Sequence, residues 1–243
     1  MLGRTLDDSY PWAIRRDITA VTVARLSANA LYRFAGPFLA VIARGLDVSI
    51  AELGVAITIA ELCGLTSPFI GRFVDGVPRR RSMTMGLTGV ATGALVVAAS
   101  PHVVMFTVGL FALSLSKIVF DVGMGSWITD HIAFERRGRV VGLTETSWAL
   151  GLLVGVSTMG LVTAVASWQW GYATGALAVA VMAVVVWRRI DRDVVGGGDP
   201  VAADDVAIVP PTAGGVGPVE PEPTATAGPN PQVEPEIAPS LNP

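Results

Sequence analysis

Six ionisable side chains stand inside long apolar runs: Arg25, Arg33, Glu61, Lys117, Asp121 and Glu145. Each such charge costs about 2.5–3.5 kcal/mol at the centre of a hydrocarbon layer on the insertion scale, so these residues should face inward and pair. Their formal charges sum to zero. Arg25, Asn29 and Arg33 recur every four positions and form one polar stripe on a helix, with Tyr32 beside it. Lys117 and Asp121 have the same spacing. A buried carboxylate, Glu61 or Asp121, can carry a proton where burial and neighbouring cations compete over its charge state. Positive charge in the first apolar run points to an anion, unless the arginines are already paired. The bland alternative is a set of structural ion pairs locking helices together, with Arg25 and Glu145 close enough to an interface to snorkel. Spacing alone leaves both open.

Other chemistry finds little material. His102 and His131 fall at loops between apolar runs, which argues against metal ligation. The single cysteine, Cys63, excludes an intramolecular disulfide and a thiolate cluster, and its apolar surroundings suit a small packing residue. There is no Ser/His/Asp grouping, no phosphate-binding glycine loop, and no basic surface interleaved with aromatics. An enzyme, a metal site, a bound cofactor and a nucleic-acid partner are therefore not expected.

The elements that must hold these residues are long and apolar. Hydrophobic residues make up 51% of the chain, charged residues 15%, and the mean hydropathy is +0.57. A soluble domain carries about 25% charged residues, so the composition points to a lipid bilayer as the chain's solvent. Six apolar segments can be drawn, near 18–43, 53–71, 83–100, 103–128, 140–166 and 169–187. At about 1.5 Å per residue each can cross a core of about 30 Å, some with help from flanking residues. Ser100-Pro101-His102 and Trp168-Gln169-Trp170 read as short hairpin connections, and the tryptophans suit the interface.

Basic residues in short loops set the orientation. With the N-terminus inside, the cytoplasmic segments hold Arg4, Arg15 and Arg16, then Arg72 and Arg79–Arg81, then Arg136, Arg137 and Arg139, then Arg188, Arg189 and Arg192. That is 13 of the 17 bases, against Arg44 alone outside, and losing or adding a span would scramble the alternation. Counted from the cytoplasmic ends, Arg25, Asp121 and Glu145 lie about 10 Å deep, Glu61 and Lys117 about 15 Å, and Arg33 beyond about 20 Å. The polar N-terminus and the length of the first apolar run suggest a retained signal-anchor helix. The expected organisation is a cytoplasmic N-terminus over 1–17, a six-helix transmembrane domain over 18–190, and a cytoplasmic tail over 191–243. Residues 1–192 carry a net charge of +5 and residues 193–243 carry −8, with 11 of the 16 prolines in the latter. Such a tail cannot bury enough apolar area to offset ordering entropy and is expected to be disordered.

The connection after the second span reads Gly71-Arg72-Phe73-Val74-Asp75-Gly76-Val77-Pro78-Arg79-Arg80-Arg81-Ser82-Met83. It resembles the signature loop of the major facilitator superfamily, with Gly71, Phe73, Asp75, Arg79, Arg80 and Met83 on the pattern's positions. Gly76 stands where the pattern has an arginine, and Pro78 where it has a second glycine. The physics suits a gate: a small residue lets helices approach, Asp75 sits at a helix end, and Arg79, Arg80 and Arg81 offer forks for carboxylates or helix C-termini. Arginines there also satisfy topology by themselves. In the fifth span Gly142, Gly151, Gly155 and Gly160 resemble the glycine series of the superfamily's antiporter branch, with Val156 in place of its proline and Met159 in place of a glycine. The same glycines suit close packing in lipid. Asp130 to Arg139 resembles the family's loop between helices four and five.

The resemblance covers about residues 18–190. It implies an all-α fold, one six-transmembrane-helix half of a transporter built from two such halves, with helices one and four lining the central cavity. The implied function is transport of a small-molecule substrate by alternating access, with proton coupling as the family default. Two copies of the chain, or this chain and a separately encoded second half, would rebuild the cavity, since the family's halves are related by an axis along the membrane normal. The competing class is a truncated or non-transporting membrane protein that serves as a scaffold for its tail.

Overall fold

The computed structural model describes residues 12–190; the first eleven residues, and the tail whose disorder was expected, lie outside the described residues. Contacts divide the chain into two units, 1–203 and 204–243, and the second falls wholly outside that range. The described chain is all helix and turn. Helix α1 spans Trp12–Arg33, and a short α2 spans Leu39–Gly45. A second rod runs through α3 (Ile50–Glu61), a 3₁₀ turn (Leu62–Thr66) and α4 (Ser67–Asp75). Helix α5 spans Arg79–Ala98 and α6 spans Val103–His131. A fifth rod joins α7 (Phe134–Leu150), a π-helical stretch (Gly151–Val156) and α8 (Ser157–Val165), and α9 closes the set at Trp168–Arg189.

The first expected span differs most from the structure. It is drawn as 18–43 in the sequence, but the helix begins at Trp12 and stops at Arg33, and residues 34–38 are turn. Pro37 has no backbone N–H and disfavours helical backbone at the residue before it, which is Gly36. The apolar run continues through the break, so hydropathy alone does not register it. The other five segments each coincide with a helical rod; most ends are longer than expected, but the rods expected at 83–100 and 140–166 stop at Ala98 and Val165. Ser49 caps α3, its hydroxyl accepting from the Glu52 N–H at 3.1 Å while the Glu52 carboxylate accepts from the Ser49 N–H at 2.8 Å. The His102 ring caps α6 by accepting from the Met105 N–H at 3.2 Å.

Four helical rods, Ile50–Asp75, Val103–His131, Phe134–Val165 and Trp168–Arg189, are long and apolar enough to cross a membrane. Helix α1 carries Arg15, Arg16, Asp17, Arg25 and Arg33, and α5 opens on three arginines and is rich in Gly and Thr, so neither reaches the same apolarity.

Helix α5 packs between α6 and α9. Small residues set its distance from α6. A Cβ added at Gly86 would stand 2.5 Å from the backbone nitrogen of Phe120, and at Gly93 2.6 Å from that of Leu113. This is the close backbone approach that small residues permit in lipid, where dispersion contacts replace the hydrophobic effect as the force between helices. At the opposite end from Arg79, an aromatic cluster joins the turn after α1 to α6 and α9. Phe34 meets Tyr172 edge to face at 4.9 Å and stacks on Phe38 at 4.6 Å, while Phe106 meets Trp168 at 6.0 Å. Cys63 is buried in the 3₁₀ turn, as a packing residue would be.

Candidate functional site

The polar stripe of α1 faces α7. Arg25 Nη1 donates to Glu145 Oε1 at 2.6 Å. Asn29 Nδ2 donates to Ser147 Oγ at 3.4 Å, and the Arg33 guanidinium lies over the Trp148 ring, 4.7 Å from its centroid. The two helices can come this close because Gly151 and Gly155 face α1. A Cβ at Gly151 would lie 3.1 Å from Asn29 Cβ, and Gly155 packs against Ala30. The backbone here is π-helical over Gly151–Val156. A π stretch is a recognised cause of helix distortion, and it falls where the resembling motif has a proline. Gly160 packs against Phe38, whereas Gly142 has open space on its Cβ side.

Helix α6 brings the second acid. Lys117 Nζ bonds Asp121 Oδ2 at 2.5 Å, and Asp121 Oδ1 stands 3.5 Å from Arg25 Nε, close enough for an ion pair but not aligned for a hydrogen bond. Arg25, Lys117, Asp121 and Glu145 therefore form one electrically neutral tetrad across α1, α6 and α7. Lys117 is buried, at 8% exposure, so its charge depends on Asp121 for compensation.

The remaining two charges stand apart from the tetrad. Tyr32 donates its hydroxyl to Glu61 Oε2, joining α1 to the end of α3, and the Lys117 ammonium sits 5.4 Å from the Tyr32 ring centroid. Among the described residues neither Arg33 nor Glu61 has an ion-pair partner within 4.0 Å. Both line a cavity of ≈ 270 Å³, together with Tyr32, Ser114, Ile57, Leu110 and Leu152. Gly36 and Pro37 contribute as well, so the break after α1 forms part of the wall. Sequence reasoning singled out all six charges and Asn29 but missed Trp148, Ser147 and Ser114. Trp148 lies three residues after Glu145 and Ser114 three before Lys117, so helical spacing from the recognised charges reaches both.

The loop after α4 forms a different cluster. Arg79 Nε donates to Asp130 Oδ2 at 2.8 Å, its Nη1 donates to the Val74 carbonyl at 3.2 Å, and the same Nη1 stands 3.7 Å from Asp75. One guanidinium thus ties the C-terminal ends of α4 and α6 together. Arg80 lies over Trp187 at 3.9 Å, fastening α5 to α9, and Arg81 borders an open groove with Trp187. The three arginines expected to act alike therefore hold three different places. The close approach expected at Gly71 is not made among the described residues, for a Cβ there would meet nothing within 4 Å.

Comparison with known proteins identifies the family and the fold. The profile described as Major Facilitator Superfamily matches residues 21–226. The uncharacterised transporter YgaY of Escherichia coli K12 is 28% identical over 178 residues, covering 72% of this chain and 44% of that protein. The uncharacterised transporter YwfA of Bacillus subtilis, described as of the same superfamily type, is 23% identical over 154 residues, covering 63% and 37%. The chain spans less than half the length of these curated relatives. Among solved structures, a bacterial homologue of the human lysosomal transporter Spinster, inward-facing and unoccupied, superposes with a TM-score of 0.66 at 12% identity, over 79% of this chain and 46% of that one. The chain is an integral membrane protein that belongs to the major facilitator superfamily of transporters.

Proposed function

We propose that residues 12–190 form one six-span half of an alternating-access transporter for a small solute, completed by a second six-helix half. That half is either another copy of the chain or a separate polypeptide segment. The observation that carries this reading is the polar face formed by α1, α3, α6 and α7. It holds six charges and the ≈ 270 Å³ cavity, yet Arg33 and Glu61 remain exposed at its edge. Polar groups this costly in lipid need a covering surface, and a second half related by an axis along the membrane normal supplies one.

The substrate or proton path then runs past Arg25, Asn29, Arg33, Glu61, Lys117, Asp121 and Glu145. Gly71, Asp75, Arg79, Arg80 and Arg81 form the gating loop on the cytoplasmic side, where rocking of the halves opens and closes the ends of α4 and α6. Both termini of the chain are cytoplasmic in this reading, in keeping with the arginines at the ends of α4, α5, α7 and α9. In this reading Glu61 and Asp121, the acids of the path nearest the cavity, are the groups that would couple transport to protons.

The test is transport by the full chain in proteoliposomes, with and without an imposed proton gradient, using radiolabelled solutes of each charge class. Gradient-driven flux that falls at least about tenfold in Glu61→Gln or Asp121→Asn supports coupling. Unchanged flux in both removes the coupling, and absence of gradient-dependent or exchange flux for every class removes the reading in which two copies of the chain make the transporter.

A further inference from the structure

The four charges of the tetrad cancel one another through contacts of 2.5–3.5 Å. The two that remain, Arg33 and Glu61, share the cavity without sharing an ion pair. Their other neighbours do not satisfy them equally. Glu61 accepts the Tyr32 hydroxyl, while Arg33 has only the face of Trp148. An aromatic face attracts a cation but leaves the N–H fork unspent, and it holds the guanidinium plane in one orientation. The rest of the wall is largely apolar, from Ile57, Leu110, Leu152 and Pro37, with Ser114 as a further hydroxyl. A ligand that fits has one end for a fork and an apolar body.

We propose that this cavity binds a small organic anion, a carboxylate on an apolar body, gripped by Arg33, and that its binding is linked to protonation of Glu61. The proposal rests on the transporter reading for its setting but on the cavity's own charges for its content. With Glu61 ionised, the cavity is neutral and an arriving carboxylate meets a second negative charge in a half-open, largely apolar cleft. With Glu61 protonated, the cavity carries the single positive charge of Arg33, and the carboxylate neutralises it. Anion and proton therefore favour one another's binding, and linkage makes the effect reciprocal. The step is a proton from water to Glu61 Oε and a carboxylate from water to the Arg33 fork, with no covalent change.

The charged and titratable groups facing Glu61 are few. From α1 they are Tyr32, Arg33 and, farther off, Arg25; from α6 they are Lys117 and Asp121; Cys63 lies on its own rod. Protonating Asp121 instead would leave buried Lys117 without the acid it pairs with and Arg25 with Glu145 alone. Glu61 has no cation to abandon. That distinction selects Glu61 over Asp121, which spacing alone does not.

The experiment is isothermal titration of the full chain in nanodiscs with benzoate, benzylamine and benzyl alcohol, at about pH 5.5 and about pH 8, in buffers of different ionisation enthalpy. Benzoate is expected to bind at least about tenfold tighter at the lower pH, with uptake of about one proton, and the amine and alcohol to bind weakly or not at all. Arg33→Gln is expected to weaken benzoate at least about tenfold, with Arg33→Lys intermediate because it keeps the charge and loses the fork. Glu61→Gln is expected to bind benzoate equally at both pH values without proton uptake. Circular dichroism and melting of each variant confirm folding. The proposal is overturned by preference for benzylamine, by absence of benzoate binding, by benzoate binding indifferent to both Arg33 variants, or by pH dependence surviving in Glu61→Gln. Flux of a neutral or cationic solute would leave the transporter reading standing while this inference falls. Anion binding without any flux would leave this inference standing while the reading in which two copies make the transporter falls.

Discussion

Asp121 serves two cations at once, Lys117 at 2.5 Å and Arg25 at 3.5 Å, and the cost of losing it depends on the burial of its partners. Lys117 is the more buried of the two and has no other acid within reach. Asp121→Asn is expected to destabilise the chain by about 3–5 kcal/mol, the range for breaking a buried pair from one side. The double variant Asp121→Asn with Lys117→Met should recover most of that loss, because the orphaned charge is gone. Denaturant or thermal unfolding in detergent, run as a double-mutant cycle, checks both, and full additivity of the two single losses would show that the pair is not coupled. Arg79 makes a milder case, with its clamp on Asp130 and Val74 at the membrane edge. Arg79→Gln is expected to cost about 1–2 kcal/mol and to speed hydrogen exchange in residues 76–78, whereas Arg81→Gln leaves both near the parent values. The Lys117–Asp121 pair was legible in the sequence because its partners are four residues apart on one helix. Arg25–Glu145 was not, since 120 residues separate them and only the fold brings α1 against α7.

Two kinds of small-residue contact hold the elements, and they answer differently to substitution. In α5 the neighbours of Gly86 and Gly93 are backbone atoms of α6, within 2.5–2.6 Å of a built Cβ, so α5 and α6 must move apart to admit a methyl group. Gly93→Ala is expected to cost about 1–3 kcal/mol, the usual range for overpacking. Gly125→Ala, on α6 with nothing within 4 Å of its Cβ, is the control and should be neutral or slightly stabilising, as alanine favours helix. Melting temperatures in the same detergent compare them, and equal losses would mean that helix propensity rather than contact decides. The spans after the first were readable from the sequence because hydropathy marks their centres and Arg, Pro and Gly mark their ends. The turn at 34–38 was not, because Phe34, Ala35 and Phe38 keep the run apolar while Gly36 and Pro37 end the helix. The π stretch has no apolar signature either, because it alters hydrogen-bond register and leaves residue type unchanged. Both unseen features border the cavity, the one through Gly36 and Pro37 and the other through Leu152.

At the scale of the whole molecule, apolar residues lie bare on several elements, the second rod with Leu65 and Phe69 among them, and membrane and second half must divide them. Two of these faces can be compared directly: α9, where Leu177 is 66% exposed, and the π stretch with α8, where Leu153 is 71% exposed. Cavity position decides between them. Glu61 and Leu152 open it beside the second and fifth rods, and a polar cavity facing lipid would be costly, so the second half belongs over Leu153 and lipid over Leu177. If that half is another copy, the two-fold axis lies along the membrane normal and residues near it meet their own counterparts. A single cysteine at Leu153, placed in a Cys63→Ala background, is then expected to cross-link chain to chain with a short bis-maleimide in native membranes, while one at Leu177 does not. The pattern reversed would put the interface on α9 and leave the cavity without a cover. Cross-linking at neither site, with one chain per nanodisc, would exclude the homodimer and require a different polypeptide segment to complete the path. The cavity's two charges, Arg33 and Glu61, both belong to this half, so benzoate binding through Arg33 should survive even that outcome, at an affinity reduced by the missing wall.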